Sequence, residues 1–294
     1  MRASFSKVGF IGLGVMGEPI CARLTAHSGI PVLGYDTDAA ALQRAQGRGV
    51  VPAASVLEVM TADIVFLSLP SGEVVTKLVH EAGGLLELAR PGQVVVDLST
   101  SAVDTTRSLA QDFAARSVAF ADSPVARTRA AAEAGTLLAM VGAPAELFDR
   151  IHPLIATFAS DVRLCGDVGC GQVVKILNNM VMFEIGVALA EARAIGMRAG
   201  LDPRLLFEVL SLGSADSFAL RNHGIKSIVP DEFPLRAFSV EYARKDLRYA
   251  LRLAEGVNVH AHAARNVDWL FGRAIADGKG EQYWPVISQV VAAN

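Results

Sequence analysis

The sequence predicts an α/β protein: a domain with a mostly parallel sheet, then a long helix and an all-helical domain. Short apolar runs alternate with helical patterns through residues 1–165, which is typical of a parallel sheet covered by helices on both faces. Residues 171–199 contain no proline, which predicts one long helix. At about 100–200 residues per domain, the chain should form two domains, expected at 1–165 and 166–294.

The individual elements follow from apolar patterns and their boundaries. Helices are expected to begin at Ser55, three residues before Glu58, and at Ser101, three residues before Asp104, because both pairs have the capping-box spacing. Beyond the long helix, three helices are predicted around 203–212, 238–255 and 261–276, with no convincing strand among them. The predicted strands are 7–11, 31–35, 64–69, 94–97, 118–122, 137–141 and 162–164.

Composition narrows the classes of function. The chain has 27 basic and 30 acidic residues and a net charge of −3, so neither half is basic enough to bind a nucleic-acid backbone. The mean hydropathy of +0.37 is high for a soluble protein. Association of subunits, as a homodimer or homotetramer, would cover some of this apolar surface.

Location and metal content are also constrained. Three cysteines form neither an even set nor a CxxC pair, which favours a reducing, cytoplasmic environment. The short segment before the first strand leaves no room for a signal peptide. The most apolar window, 176–190, contains two asparagines and Glu184, so no membrane span is expected. His260 and His262 lack a nearby carboxylate, and no metal site is predicted.

A glycine-rich loop follows the first predicted strand. Gly12, Gly14 and Gly17 form GxGxxG at the start of a helix, which indicates a Rossmann dinucleotide-binding domain. Asp36 ends the second predicted strand, where a carboxylate would bind ribose hydroxyls and repel a 2′-phosphate, which favours NAD over NADP. The loop residues predicted to contact NAD are Gly12, Leu13, Gly14, Val15, Met16 and Gly17.

Four motifs in order resemble the β-hydroxyacid dehydrogenase family, which contains 3-hydroxyisobutyrate dehydrogenase and tartronate semialdehyde reductase. The first is GFIGLGVMGEPICARL at 9–24. DSPV at 122–125, followed by AGTL at 134–137, is similar to the substrate-loop signature DAPVSGG…A..GTL. GQVVKILNN at 171–179 matches GxxxKxxNN, and KDL at 245–247 matches a late family element.

The resemblance implies that Lys175 is the general acid/base of hydride transfer. Apolar residues flank it on the predicted helix, and desolvation would lower its pKa towards the working range. Asn179 lies four residues further on and shares a helix face with Lys175, so its amide could orient the substrate oxygen.

The resemblance also implies further contacts at the site. Lys245 would close over the nicotinamide end of NAD, and further cofactor contacts would come from Leu69, Pro70, Ser99 and Thr100. The substrate would sit between Lys175, Asn179 and the loop 123–128. Its predicted contacts are Ser123, Val125, Ala126, Arg127, Thr128, Asn178 and Asn179.

One loop departs from the family pattern. Ala126, Arg127 and Thr128 stand where most members have SGG, whose serine and glycine N–H groups hold the substrate carboxylate. The Arg–Thr pair resembles the branch containing sulfolactaldehyde reductase and 4-hydroxybutyrate dehydrogenase. Arg127 could anchor a carboxylate or sulfonate through its planar fork of donors. In the alternative, it points outward and pairs with Glu133 or solvent.

These patterns predict an NAD-dependent oxidoreductase that interconverts a small anionic β- or γ-hydroxy acid and its semialdehyde. Three alternatives stay open: an inactive nucleotide-binding sensor, a reductase of the same family that prefers NADP, and an S-adenosylmethionine-dependent methyltransferase. A methyltransferase would have no use for the lysine of GxxxKxxNN.

Overall fold

The computed structural model of the protein describes residues 5–235 and 237–293, and the chain folds into two compact units, Met1–Lys175 and Ile176–Asn294. The sequence patterns predict the division at residue 165. The structure places it within the long helix, because the first turn of that helix is hydrogen-bonded to groups of the N-terminal sheet.

The N-terminal unit is built on a sheet that contains nine strands among the described residues. They are β1 (Val8–Ile11), β2 (Val32–Tyr35), β3 (Val51–Pro52), β4 (Ile64–Leu67), β5 (Val94–Asp97), β6 (Ala119–Asp122), β7 (Val125–Ala126), β8 (Leu137–Gly142) and β9 (Ala159–Gly166). The order is β3-β2-β1-β4-β5-β6-β8-β7, and β9 pairs with β8. The first six strands are parallel in the order of a Rossmann domain, which confirms the predicted fold class.

The register of the parallel strands aligns their last residues. Ile11 is level with Tyr35 and with Leu67, Leu67 with Asp97, and Asp97 with Asp122. The groups that follow these residues therefore meet at one edge of the sheet, called here the carboxyl edge. In open α/β sheets, ligands bind at this edge.

Helices of the N-terminal unit pack on both faces of the sheet, and each face has its own apolar core. Phe10 and Phe66 belong to one core, and Val65 and Leu67 belong to the other, because successive side chains of a strand point to opposite faces. The helices are α1 (Gly17–Ser28), α2 (Ala39–Gln46), α3 (Val56–Val59), α4 (Gly72–His80), α5 (Leu85–Leu88), α6 (Val103–Ala114), α7 (Arg129–Ala134) and α8 (Ala145–Ile155).

Two short strands and one helix cap differ from the sequence prediction. The strands β3 and β7 are two residues long, too short to produce an apolar pattern. Ser55 caps α3 as predicted, since its hydroxyl accepts from the N–H of Glu58. The prediction for Ser101 is wrong: α6 begins at Val103 without a side-chain cap, and Ser101 is buried in other contacts.

The C-terminal unit is helical, apart from isolated bridges, over its described residues. The predicted long helix is α9 (Cys170–Arg198), and it begins in the N-terminal unit. It is followed by α10 (Pro203–Leu212), a π-helical segment (Leu220–Ile228), α11 (Val240–Gly256), α12 (His262–Ala276), a 3₁₀ turn (Trp284–Val286) and α13 (Ile287–Ala293). The helix α9 is long and apolar enough to span a membrane, but its buried side chains contribute to the core of a folded unit.

Trp284 lies at the centre of the largest apolar cluster described in the C-terminal unit. Its ring is fully buried and packs edge-on against Phe183 and Phe271, with ring centroids 5.2 Å and 6.5 Å away. Gly186 of α9 faces this indole closely, so that a Cβ at Gly186 would overlap two atoms of the ring. The absence of a side chain at Gly186 allows α9 to approach the indole.

The Trp284 contact predicts a stability effect. Gly186→Ala should lower the free energy of unfolding by about 1–3 kcal/mol, because overpacking outweighs the gain in helix propensity. Chemical denaturation measures this value. Gly256→Ala is the matched control, because its Cβ would meet no atom within 4 Å. It should leave stability unchanged or raise it by up to about 1 kcal/mol. A stabilised Gly186→Ala variant would contradict the packing argument.

Candidate active site

The glycine-rich loop joins β1 to α1 at the carboxyl edge. Gly12 has φ +95°, and a Cβ there would overlap the carbonyl oxygen of Ser68. A Cβ at Gly17 would overlap the carbonyl oxygen of Gly12, so this glycine allows close helix–strand packing. Gly14 is different, because a Cβ there would meet no protein atom within 4 Å. The open space at Gly14 and the absence of a side-chain cap on α1 fit a bound pyrophosphate.

Asp36 lies directly after β2 and beside the glycine-rich loop. Its carboxylate accepts hydrogen bonds from the backbone N–H of Leu13 at 2.6 Å and of Asp38 at 2.8 Å. The side chain of Asp38 accepts in turn from the N–H of Ala40 and caps α2. The Asp36 carboxylate is therefore fixed beside the loop, and the Asp38 carboxylate is used to cap α2.

The other predicted loop residues have distinct environments. Leu13 is fully buried, whereas Val15 is exposed and Met16 is intermediate in exposure. The carbonyl oxygen of Val15 accepts a hydrogen bond of 2.7 Å from the guanidinium of Arg129. This bond ties the loop to α7.

The cofactor contacts predicted after β4 and β5 also lie at the carboxyl edge. The hydroxyl of Ser99 accepts from the N–H of Leu69 at 2.9 Å, so these two loops are linked. Pro70 is exposed and Thr100 is half-buried. The structure therefore brings the loops after β1, β2, β4 and β5 to one edge, within the N-terminal unit.

The loop after β6 contains the predicted substrate contacts. The Ser123 hydroxyl is buried and has no hydrogen-bond partner among the described residues. Val125 and Ala126 form β7 and pair with β8. Thr128 is an N-cap, because its hydroxyl accepts from the N–H of Ala131 and so begins α7. Much of this loop is thus engaged within the unit itself.

Arg127 is held by its own unit. Its guanidinium pairs with Asp161 at 2.8 Å and donates to the hydroxyl of Ser160 and the carbonyl oxygen of Thr136. The backbone of Arg127 has φ +87°, in the left-handed region. The expected alternative of a pair with Glu133 is wrong, because Glu133 instead pairs with two other arginines, Arg48 and Arg129. A substrate anion would have to compete with Asp161 for Arg127.

Asp122, the last residue of β6, contacts the start of α9. Its carboxylate accepts from the backbone N–H of Gly169 at 2.6 Å and of Gln172 at 2.8 Å. Burial raises the pKa of Asp122 to about 6, against the lowering effect of these bonds. Burial likewise raises the pKa of Asp97, its register partner on β5, to about 7. Sequence reasoning assigned no role to Asp122, although it begins the DSPV motif.

Gln172 was also missed, because it occupies a variable position of GxxxKxxNN. Its side chain is fully buried. The amide nitrogen donates to the carbonyl oxygen of Ser99 at 2.7 Å, and the amide oxygen accepts from the N–H of Ser101 at 3.1 Å. Ser101 contributes its backbone N–H to this contact, while its hydroxyl donates to the carboxylate of Asp97 at 3.4 Å and not to the start of α6, whose N-cap residue is Ala102.

Lys175 lies three residues after Gln172 and is half-buried. The apolar residues around it differ in exposure: Ile176 is buried, while Val174 and Leu177 are 42% and 37% exposed. The predicted low-dielectric helix face is therefore only partly buried in this chain.

The predicted residues of the C-terminal unit form a separate group. Asn178 is exposed, and its amide donates to the amide oxygen of Asn179 at 3.2 Å. Asn179 is buried and donates to the carboxylate of Asp246 at 2.9 Å. Lys245 pairs with Asp246 at 2.9 Å, and its ammonium lies 5.3 Å from the ring centroids of two tyrosines. The KDL element therefore supplies Asp246 to fix the amide of Asn179.

The fold and these loops define an NAD(P)-dependent oxidoreductase. Residues 7–168 match the NAD-binding domain of 6-phosphogluconate dehydrogenase. Residues 169–286 match the domain described as NAD-binding of NADP-dependent 3-hydroxyisobutyrate dehydrogenase. The chain belongs to the 3-hydroxyisobutyrate dehydrogenase family, the β-hydroxyacid dehydrogenases.

Individual relatives agree over nearly the full chain. The 2-(hydroxymethyl)glutarate dehydrogenase of Eubacterium barkeri is 33% identical, covering 93% of this chain and 91% of that protein. The 3-hydroxyisobutyrate dehydrogenase of Pseudomonas aeruginosa is 34% identical, covering 94% and 95%. The structure of the Mycobacterium tuberculosis 3-hydroxyisobutyrate dehydrogenase with L-serine aligns with a TM-score of 0.88 at 28% identity, covering 97% and 99%.

The Arg127–Asp161 pair predicts how the loop variant behaves. Arg127→Ala should lower kcat/KM for a charged and a size-matched neutral aldehyde by factors that agree within about threefold, because the guanidinium is committed to the loop. Steady-state kinetics on both substrates measure the two losses.

Asp161→Ala is the matched variant, since it removes the partner and leaves the arginine. Asp161→Ala should lower kcat/KM for the charged and the neutral aldehyde by similar factors, as Arg127→Ala does. The double variant should have a kcat/KM no lower than that of either single variant. A loss confined to the charged substrate in Arg127→Ala would instead identify Arg127 as the anion anchor.

Proposed function

We propose that the protein catalyses reversible NAD-linked oxidation of a small β- or γ-hydroxy acid to its semialdehyde, with Lys175 as the general acid/base. The observation that carries the proposal is the attachment of the start of α9, three residues before Lys175, to the sheet edge that carries the glycine-rich loop. This arrangement suits a proton-transfer group beside a dinucleotide.

The residues at the carboxyl edge fit a nicotinamide dinucleotide. The helix start at Gly17 and the open space at Gly14 suit the pyrophosphate, and Asp36 suits the ribose hydroxyls. Leu69, Ser99 and the loops around them would line the rest of the cofactor, and Lys245 stays a proposed contact. When bound, the nicotinamide exchanges a hydride with the substrate carbon.

NAD is the proposed cofactor because of charge at the end of β2. The Asp36 carboxylate lies there, held by the N–H groups of Leu13 and Asp38, and a 2′-phosphate would meet its negative charge. The preference for NADP in the name of the matched C-terminal domain belongs to another protein. NADP-dependent reduction is therefore the alternative within the family.

Lys175 would take the hydroxyl proton during oxidation and return it during reduction. Asn179, one helical turn further along α9, would orient the substrate oxygen, and Asp246 holds its amide in place. The buried hydroxyl of Ser123 has no partner among the described residues, and it stays a proposed substrate contact.

We propose a small anion, either a carboxylate or a sulfonate, as the substrate. The relatives are named for hydroxy acids, which supports a substrate with a hydroxyl near an acidic group. The Ala126–Thr128 replacement removes the glycines of the family loop, so the anion is not expected to be held as in most members. A screen of hydroxy acids and semialdehydes of both anion types, read at 340 nm with NAD and NADH, tests the proposal.

The same screen separates the alternatives from other classes. An inactive sensor would bind NADH without turnover on any substrate. A methyltransferase would bind S-adenosylmethionine in a titration and leave NADH absorbance unchanged.

The cellular setting is part of the proposal. We expect the protein to be cytoplasmic. We also expect a homodimer or homotetramer, because α10 exposes Leu205, Val209 and Leu212 by 53%, 57% and 88%. Such side chains favour association, since burial of apolar surface is favourable.

Asp36 predicts the cofactor preference. Wild-type protein should have a kcat/KM with NAD at least about tenfold higher than with NADP, the effect of one charge-assisted contact. Asp36→Ala should narrow this ratio, mainly by weakening NAD. Kinetics with both cofactors measure it, and Asp149→Ala on the exposed face of α8 controls for simple charge removal. A wild-type preference for NADP would overturn the assignment.

Lys175 predicts the size of the catalytic effect. Lys175→Ala should lower kcat by about 10²–10⁴, the range for a positioned acid/base, and leave NADH affinity almost unchanged. Lys7→Ala is the control, because this lysine bonds Thr61 near the amino ends of β1 and β4. Lys175→Ala with more than about a third of wild-type kcat would show that another group transfers the proton.

A further inference from the structure

The start of the helix that carries Lys175 is held by a carboxylate from β6 and by a glutamine of its own first turn. We propose that Asp122 and Gln172 are positioning residues, which place Lys175 for proton transfer without contacting the substrate. This inference rests on the proposed role of Lys175, and the experiments below separate the two.

The first step of the argument is the cap on α9. The first N–H groups of a helix have no partner inside the helix and need one from outside. Asp122 supplies both carboxylate oxygens, one to the N–H of Gly169 and one to the N–H of Gln172. Asp122 lies 47 and 50 residues away from these groups in sequence, so the cap joins the helix to β6. Charged caps of this kind also favour the positive end of the helix dipole.

The second step is the lack of free space around this cap. A Cβ at Gly142 would overlap the carboxylate of Asp122. A Cβ at Gly171 would overlap the carbonyl oxygen of Met140 and lie 2.7 Å from the same carboxylate. The glycine of GxxxKxxNN therefore allows α9 to touch β8, and it leaves the helix start little room to shift.

The third step is the side chain of Gln172. It bonds to the carbonyl oxygen of Ser99 and the N–H of Ser101, in the loop after β5. The hydroxyl of Ser99 in turn accepts from the N–H of Leu69, after β4. One buried amide thus links the helix to the loops that are proposed to line the cofactor.

Lys175 follows Gln172 by three residues, a rise of about 4.5 Å along the helix axis. Because Lys175 is so close to the helix start, a shift of that start would move the ammonium of Lys175 by about the same amount. A displacement of about 1 Å in a catalytic group can lower the rate by about 10²-fold, so the cap and the amide link together set the geometry of proton transfer.

The charged groups around Asp122 decide the assay conditions. Asp97 faces it from β5 and Arg107 from α6, and the thiol of Cys165 on β9 is near enough to be affected by its charge. With the pKa of Asp122 raised to about 6 by burial, assays at pH 8 keep the carboxylate ionised in the wild type.

The test begins with Asp122→Asn, which removes the charge and turns one acceptor into a donor that faces an N–H group. We expect kcat to fall about 10- to 100-fold, while the Kd for NADH changes by less than about threefold. Asp63→Asn is the matched control, because Asp63 also accepts from two backbone N–H groups, those of Ser6 and Lys7. Asp63→Asn should lower the Tm and leave kcat unchanged.

The decisive measurement is a double-mutant cycle with Lys175→Ala. If Asp122 acts through Lys175, adding Asp122→Asn to Lys175→Ala should lower kcat by less than about twofold. If the losses of kcat in the two single variants multiply in the double variant, the positioning role is overturned. It is also overturned if the Kd for NADH rises by the same factor as kcat falls. An active Lys175→Ala variant would instead overturn the proposed role of Lys175.

Gln172→Met provides the second variant, and it applies if Asp122→Asn does not fold. It keeps the length of the side chain and removes both bonds to the loop after β5. We expect Gln172→Met to lower kcat about as much as Asp122→Asn does. Adding Gln172→Met to Lys175→Ala should cause no further loss. A Gln172→Met variant with wild-type kcat would overturn the role of the amide link.

Discussion

The start of α9 needs hydrogen-bond partners in a place where water has little access, and this constraint organises the carboxyl edge. The carboxylate of Asp122, at the end of β6, supplies these partners through two short hydrogen bonds. A charge-assisted bond contributes about 1.5–3 kcal/mol, and an unsatisfied buried N–H group costs a similar amount. The helix start is therefore set by the sheet, and the division between the two units falls after this first turn, inside α9.

The carboxyl edge also requires backbone segments to approach one another closely. Gly12, Gly17 and Gly171 each lie where a Cβ would overlap a carbonyl oxygen, whereas Gly14 faces open space. The same residue type thus serves two purposes. Three glycines allow strands, loops and helices to pack, and the fourth leaves room for a ligand. The open space at Gly14 and the uncapped start of α1 fit a bound pyrophosphate.

The loop after β6 is held by side chains of its own unit. An arginine in place of the family's glycine brings a long cationic side chain to a backbone position with positive φ. Asp161, Ser160 and the carbonyl of Thr136 take up its donors, and Thr128 becomes a helix cap. These bonds hold the loop within its own unit, and the buried hydroxyl of Ser123 has no hydrogen-bond partner among the described residues.

The sequence by itself determined the Rossmann order, the long helix, the glycine-rich loop and the family, because local patterns of apolar residues and glycines encode them. The bounds of α9 to α12 were predicted to within a few residues for the same reason, while the two-residue strands β3 and β7 are too short to leave a pattern. Only the tertiary structure decided the partners of Arg127, the burial of Ser101, and the bonds by which Asp122 and Gln172 join α9 to the sheet edge. Those contacts join residues from 9 to 73 positions apart. No local pattern specifies them, because they depend on which strand ends the register brings side by side.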